Sequence, residues 1–142
     1  MAVFESAQAL EDVLGNFFER LRSVEQAYLI HQIGGTLEFV FRNPATRIRW
    51  IPESPNAPLP FRVAYGSPTD SVLLTFEQDG DTAHRFWLGR VNLQQALARQ
   101  QVVAHGPLSR AMKLIPHLDT IYPLYREYLQ EIGRSDLLEV GR

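Results

Sequence analysis

Apolar residues in this chain follow a helical period first and a strand period afterwards. Leu10, Leu14, Phe17, Phe18 and Leu21 recur at three- and four-residue spacing, with Glu11, Asp12, Glu19, Arg20 and Arg22 between them, which predicts an amphipathic helix covering a sheet. A second short helix through Tyr28, Leu29 and Ile33 is expected over 24–33, stopped by Gly34-Gly35. The period then drops to two. Leu37, Phe39 and Phe41 alternate with Glu38, Val40 and Arg42; after the turn-forming Asn43-Pro44, Ile48 and Trp50 alternate with Arg47, Arg49 and Ile51, predicting a hairpin with one apolar face. Residues 52–60, PESPNAPLP, hold too many prolines for a helix or a central strand and predict a stiff surface loop. Phe61, Val63 and Tyr65 form a third strand ending at Gly66-Ser67-Pro68, and Val72, Leu74 and Phe76 a fourth.

The stretch from Asp81 to Leu129 is the densest in structural signals. Asp81 stands as a candidate N-cap before Phe86, Trp87 and Leu88, with Gly89 as the stop. Asn92 and Gln95 make an N-x-x-Q capping pattern for a helix through Leu93, Ala96, Leu97 and Ala98. Val102, Val103 and Ala104 supply a fifth strand, closed by Gly106-Pro107. Beyond it Leu108, Ala111, Met112, Ile115, Leu118, Tyr122, Tyr125, Leu129 and Ile132 trace one helix face, which Pro116 and Pro123 split or kink. Two helices, four strands that look antiparallel, two helices, a strand and a long final helix predict an α+β fold with helices against one sheet face.

Composition narrows the function classes. At 142 residues the chain has the length of one domain, 1–142, large enough for a true core. Cysteine is absent, so disulfides, thiolate metal sites and cysteine nucleophiles are excluded. The opening MAVFESAQALEDVL has no basic segment followed by an apolar run, and no stretch is long and apolar enough to span a bilayer. A cytoplasmic protein without a spanning segment is expected, and transient contact with a membrane surface remains open to it. The net charge of -2, with both signs interspersed, gives nucleic acid no broad attraction. Nothing in the chain assigns an oligomeric state or calls for a cofactor.

Chemistry-bearing motifs are sparse. His31, His84, His105 and His117 occur in no metal-ligand spacing, and the chain carries no G-x-S-x-G elbow, Walker loop or dinucleotide fingerprint. Arg42, Arg47, Arg49 and Arg62 fall together on the polar hairpin face. That grouping reads as a phosphate or lipid-headgroup site, or as a solvated face balanced by Glu38, Glu53 and Glu77. The stripe at Phe86, Trp87, Met112, Ile115, Ile121, Tyr122, Tyr125 and Tyr128 reads as filled core or as the wall of a cavity. Periodicity does not separate the two.

The order of these signals resembles the sterol carrier protein 2 family, the sterol-transfer or sterol-binding domains. The resemblance spans nearly the whole chain: the N-terminal helix, the hairpin LEFVFRNPATRIRWIPE, the strand SVLLTFE, the segment DTAHRFWLGRVNLQQALARQQVVAHGPLSRAMKLI and a terminal Y-x-x-Y-x-x-Y-L helix. It implies a five-stranded, mostly antiparallel sheet covered by helices, and a hydrophobic tunnel for a fatty acid, acyl-CoA, sterol-like or quinone-like lipid. The implied function is non-enzymatic binding or transfer of that ligand; no catalytic residue and no metal ligand is implied. Members of the family occur as carriers, as modules of enzymes and as accessory proteins in quinone synthesis. The ending Val140-Gly141-Arg142 carries no peroxisomal address. Phe86, Trp87, Leu97, Met112, Ile115, Leu118, Ile121 and Tyr125 are the expected lining residues. Two other functions compete: an accessory scaffold presenting lipid intermediates to partner enzymes, with an apolar patch on the final helix, and an enzyme using His84 or His105.

Overall fold

The computed structural model describes residues 2–68 and 70–139. Val140, Gly141 and Arg142, read above for an address, lie outside the described residues. Helix α1 spans 7–21 as two α-helical stretches, Ala7–Leu10 and Asn16–Leu21, joined by a π-helical turn at Glu11–Gly15. Ser6 caps it by accepting from the Ala9 amide. The expected stripe Leu10, Leu14, Phe17, Phe18 and Leu21 is buried throughout. A π turn disturbs the regular i to i−4 ladder, and side chains reach the carbonyls there: Asn16 Nδ2 donates to Asp12 O at 2.7 Å, and the Tyr128 hydroxyl donates to Val13 O at 2.7 Å. Helix α2 spans 25–33, a 3₁₀ turn Glu25–Leu29 running into an α-helical turn Ile30–Ile33. The tighter opening moves the buried face to Ile30 and Ile33 and leaves Tyr28 49% exposed, where a regular helix predicted it inside. Gly34, at φ +89°, ends the helix as expected.

The strands are β1 (Leu37–Arg42), β2 (Ala45–Pro52), β3 (Phe61–Tyr65), β4 (Leu74–Gln78) and β5 (Val102–His105), ordered β3-β2-β1-β4-β5. All neighbours pair antiparallel except β1 and β4, which are parallel. This is the one departure from the four strands that looked antiparallel: the chain leaves β3 at one edge and returns on the far side of β1. β4 starts two residues later than the alternation suggests: Leu73 and Leu74 both donate to the Thr36 carbonyl, and the ladder begins at Leu74 opposite Leu37. Register then aligns one apolar face. Trp50, Leu37 and Leu74 lie side by side, as do Ile48, Phe39, Phe76 and Ala104. Phe18 of α1 seats on this face, 5.2 Å from Phe39 and 5.1 Å from Trp50 between ring centroids.

Helix α3 (Gly80–Trp87) has Asp79 and not the expected Asp81 at its N-cap position, and the Asp79 side chain makes no capping bond to the helix. Gly80 donates to Asn43 O at 3.1 Å in the hairpin turn, which starts the helix earlier; Asp81, in its first turn, accepts from the Val3 amide at 2.8 Å. Helix α4 (Leu93–Ala98) has the predicted cap, Asn92 Oδ1 accepting from Gln95 N at 3.0 Å. Helix α5 (Leu108–Ala111) passes through a 3₁₀ turn, Met112–Leu114, into α6 (Ile115–Glu131). Pro116 has no amide proton for Met112 O, which accepts from Ile115 instead. The expected split therefore falls before Pro116, while α6 continues through Pro123.

The far half of α6 is fixed by a buried relay. His84, fully buried, has Nδ1 2.8 Å from the Tyr125 hydroxyl and Nε2 2.8 Å from Leu137 O. A carbonyl only accepts, so Nε2 carries the proton and the Tyr125 hydroxyl donates to Nδ1 of a neutral imidazole. Burial holds the His84 pKa below the ordinary histidine value and that of Tyr125 well above the ordinary tyrosine value; Tyr128 is pushed up to about 12. All three groups are therefore neutral near pH 7.

Two outcomes follow from these contacts. With the folded His84 pKa below the unfolded value of about 6.5, its contribution to stability is complete above that value and is lost as pH falls toward and through the folded pKa. Urea unfolding of the wild type should thus weaken between pH 7 and pH 5 more steeply than unfolding of His84→Gln. Gly106 sits at φ +110° with an added Cβ only 2.2 Å from Leu73 O, whereas Gly133 at φ +75° faces open space. Gly133→Ala should cost about 1–2 kcal/mol and Gly106→Ala clearly more, measured as the difference in unfolding free energy.

Candidate functional site

Between the apolar sheet face and the helices lie two small voids. The larger, about 60 Å³, is walled by Leu37, Phe39, Trp50, Phe76, Gln78 and Val102 from the sheet. Phe86, Trp87, Leu93, Ala111, Leu114 and Leu118 close it from the helical side. The smaller, about 40 Å³, lies toward α2 among Leu21, Val24, Gln26, Ala27, Ile30, Phe61 and Ile121. Trp50, Trp87, Leu114 and Leu118 belong to both walls. The two indoles, with centroids 6.2 Å apart, form the partition with those leucines.

Four of the expected lining residues stand on these walls. Phe86 faces the larger void, Ile121 the smaller, and Trp87 and Leu118 face both. Leu97, Met112, Ile115 and Tyr125 line neither: Leu97 and Ile115 pack at the margin of the core, Met112 is half-buried, and Tyr125 sits 4.7 Å from Phe17 in the relay with His84. The sheet wall and α2 precede Asp81, and none of the expected lining residues belongs to them. The signal was available in the alternation that points Leu37, Phe39, Trp50 and Phe76 inward. It also places Gln78, 4% exposed, on the same inward register as Leu74 and Phe76. The 3₁₀ start that directs α2 toward the smaller void left no such signal.

Polar groups around the voids are few and neutral. The indole nitrogens of Trp50 and Trp87 are buried without a hydrogen-bond partner. No histidine lines either void: His84 is held in its relay, His31 Nε2 lies 3.1 Å from Glu53 O, and His105 lies 3.6 Å from Glu77 on the opposite sheet face. His117 lines an open groove on the protein surface with Glu25, Gln26, Tyr28, Leu29 and Gln32. Gln26 belongs to this groove and to the smaller void, and its amide donates to Thr120 Oγ1 at 3.0 Å, bridging α2 to α6. Among the described residues, no group of acidic, histidine or cysteine side chains could hold a metal.

The arginines of the outer face are paired with carboxylates. Arg42 lies 3.7 Å from Asp79, Arg62 3.4 Å from Glu53, and Arg47 and Arg49 lie 3.6 and 3.7 Å from the buried Glu38. Arg49 also donates to Tyr65 O at 3.2 Å and to Gly66 O. A site of about 80 Å³ beside Arg49 and Arg62 includes Asp70, so the face is a balanced one rather than an unopposed anion receptor.

No family model matches the chain, and no curated protein matches it. Solved structures do. The apo form of sterol carrier protein 2 from Yarrowia lipolytica is 16% identical, with a TM-score of 0.51 over 79% of this chain and 95% of that one. The sterol carrier protein domain 2 of Helicoverpa armigera is 21% identical, with a TM-score of 0.50 over 82% of this chain and 84% of that one. A stereoselective inverting sec-alkylsulfatase from Pseudomonas sp. matches 77% of this chain at 17% identity and a TM-score of 0.58, but over only 16% of its own length. At such identities the likeness is one of architecture: the chain has the α+β fold of sterol carrier protein 2.

Proposed function

We propose that the protein is a non-enzymatic, single-domain carrier that encloses a lipid-like molecule between the sheet and helices α5 and α6. A fatty acid, an acyl-CoA, a sterol or a quinone would meet the same walls. The observation that carries this reading is the pair of apolar voids, parted only by Trp50, Trp87, Leu114 and Leu118, on the covered face of the sheet. Packed interiors hold few such spaces. Binding there is driven by removal of apolar surface from water, at about 25 cal/mol per Å². The resemblance to structures named as sterol carriers supports the same use of the fold.

At about 60 and 40 Å³ the voids are far smaller than the roughly 300–1,000 Å³ typical of ligand sites. Occupation therefore requires the helical wall to move. Leu114 and Leu118 flank the junction where the 3₁₀ turn enters α6, and the polar ties across this half of the wall are few: Gln26 to Thr120, and Arg110 to Ile33 O at 3.3 Å. Separation of α6 from α2 would join both voids to the surface groove through Gln26. No helix among the described residues is long and apolar enough to cross a membrane. The scaffold reading gains no support, because Leu118, Ile121, Tyr125, Tyr128 and Leu129 of α6 face inward.

The absence of cysteine allows a specific test. In a Gln26→Cys, Thr120→Cys protein, a short thiol crosslinker should slow uptake of a fluorescent fatty acid by at least about tenfold, a modest barrier of ~1.4 kcal/mol. The same protein before crosslinking, which lacks the Gln26–Thr120 tie, should take it up at least as fast as the wild type. A delipidated wild type that binds no fatty acid, acyl-CoA, sterol or quinone analogue, and that shows no copurifying ligand by native mass spectrometry, would sink the carrier reading.

A further inference from the structure

The two voids are apolar, yet the residues between them bring hydrogen-bond donors with nothing to receive them. Trp50 and Trp87 are 8% and 4% exposed, and both indole nitrogens are buried with no partner. Buried donors are nearly always satisfied, so each such N–H calls for an explanation. Both tryptophans stand on the walls of both voids, so any molecule long enough to join the voids must pass them. Gln78, 4% exposed, adds an amide to the wall of the larger void. No lysine, arginine or histidine lines either void.

Resting on the carrier reading above, we propose that the natural occupant carries a neutral carbonyl oxygen, of the ketone, ester or quinone kind, that accepts from Trp50 and Trp87 within the joined cavity. The donors are uncharged, so an ionised carboxylate placed there would be a buried charge with no counterion, which is costly. A saturated hydrocarbon would leave both N–H groups unanswered. A carbonyl oxygen has two lone pairs and can receive two donors at once, and the Gln78 amide offers a further donor. The apolar remainder of the ligand extends into the two voids on either side. The site thus selects by the presence and neutrality of an oxygen atom part-way along an apolar molecule, in addition to its greasiness.

The chain holds two tryptophans, so the indole region of a ¹H–¹⁵N spectrum reads both donors directly. Delipidated wild-type protein would be titrated with hexadecane, 2-hexadecanone and palmitate at pH 8. The ketone is expected to bind roughly 5- to 30-fold tighter than the alkane, the worth of one to two net hydrogen bonds, and to move both indole protons downfield. Trp50→Phe and Trp87→Phe should each reduce the ratio of ketone to alkane affinity about fivefold, whatever change in alkane affinity the smaller ring brings. Equal binding of ketone and alkane with unmoved indole signals would overturn the proposal and leave an apolar carrier standing, as would palmitate binding tighter than the ketone. Failure of all three probes to bind the wild type would sink the carrier reading and this proposal with it.

Discussion

A sheet with one greasy face has to be covered, and the cover over the centre of this one rests on Trp50 and Trp87. Strict alternation in β1, β2 and β4 sends Leu37, Phe39, Trp50, Leu74 and Phe76 to one side and Glu38, Arg49 and Glu77 to the other. The outer side is neutralised by its own ion pairs, with Glu38 and Arg49 themselves buried. On the inner side α1 fills its share closely, with Phe17 and Phe18 fully buried against Trp87, Phe39 and Trp50. α3 to α6 cover the remainder, and the larger gap lies beneath Phe86, Trp87, Leu93, Ala111, Leu114 and Leu118.

The two halves of α6 are held in different ways. Its far half is locked by polar contacts in a dry interior: Tyr125 to His84, His84 to Leu137, and Tyr128 to the carbonyl of Val13 in α1. Its near half follows a 3₁₀ turn imposed by Pro116 and rests on Leu114 and Leu118 above the voids. Apolar contact is non-directional, and such contacts can be remade with a ligand in place of a neighbouring side chain. The same helix is thereby anchored at one end, and at the other it would be the wall that moves in the proposed carrier.

How much of this could be read from the chain depends on the kind of signal. The α1 stripe, the inward set of the strands, the Asn92 cap and the Gly34 and Gly89 stops were legible because each is set by contacts within a few residues. The parallel pairing of β1 with β4 was not, since it depends on where the chain goes after β3. The N-cap position at Asp79 was missed because Gly80 is drawn back by Asn43, a contact distant in sequence. For the candidate site, Leu118 lies on the three- and four-residue stripe of the final helix, Phe86 and Trp87 in the short apolar run closed by Gly89, and Ile121 in the aromatic and aliphatic set beside that stripe. Tyr125 shared that spacing yet belongs to the relay, because position on a helix face does not say which neighbour waits there. Trp50 and Gln78, on the opposite wall, were legible as inward-facing from strand alternation, and only the register and the helix packing set them across from Trp87 and Leu118.

The central claim is that the near half of the α5–α6 wall opens to admit a ligand while the far half and the sheet stay in place. Hydrogen exchange of the delipidated protein, with and without a saturating lipid that it binds, tests this directly. The account predicts faster exchange over 108–121 than over 122–131 in the empty protein, and added protection over 108–121 and 25–33 when the lipid is bound. Uniform exchange along 108–131, or protection confined to the outer sheet face around Arg49 and Arg62, would contradict it.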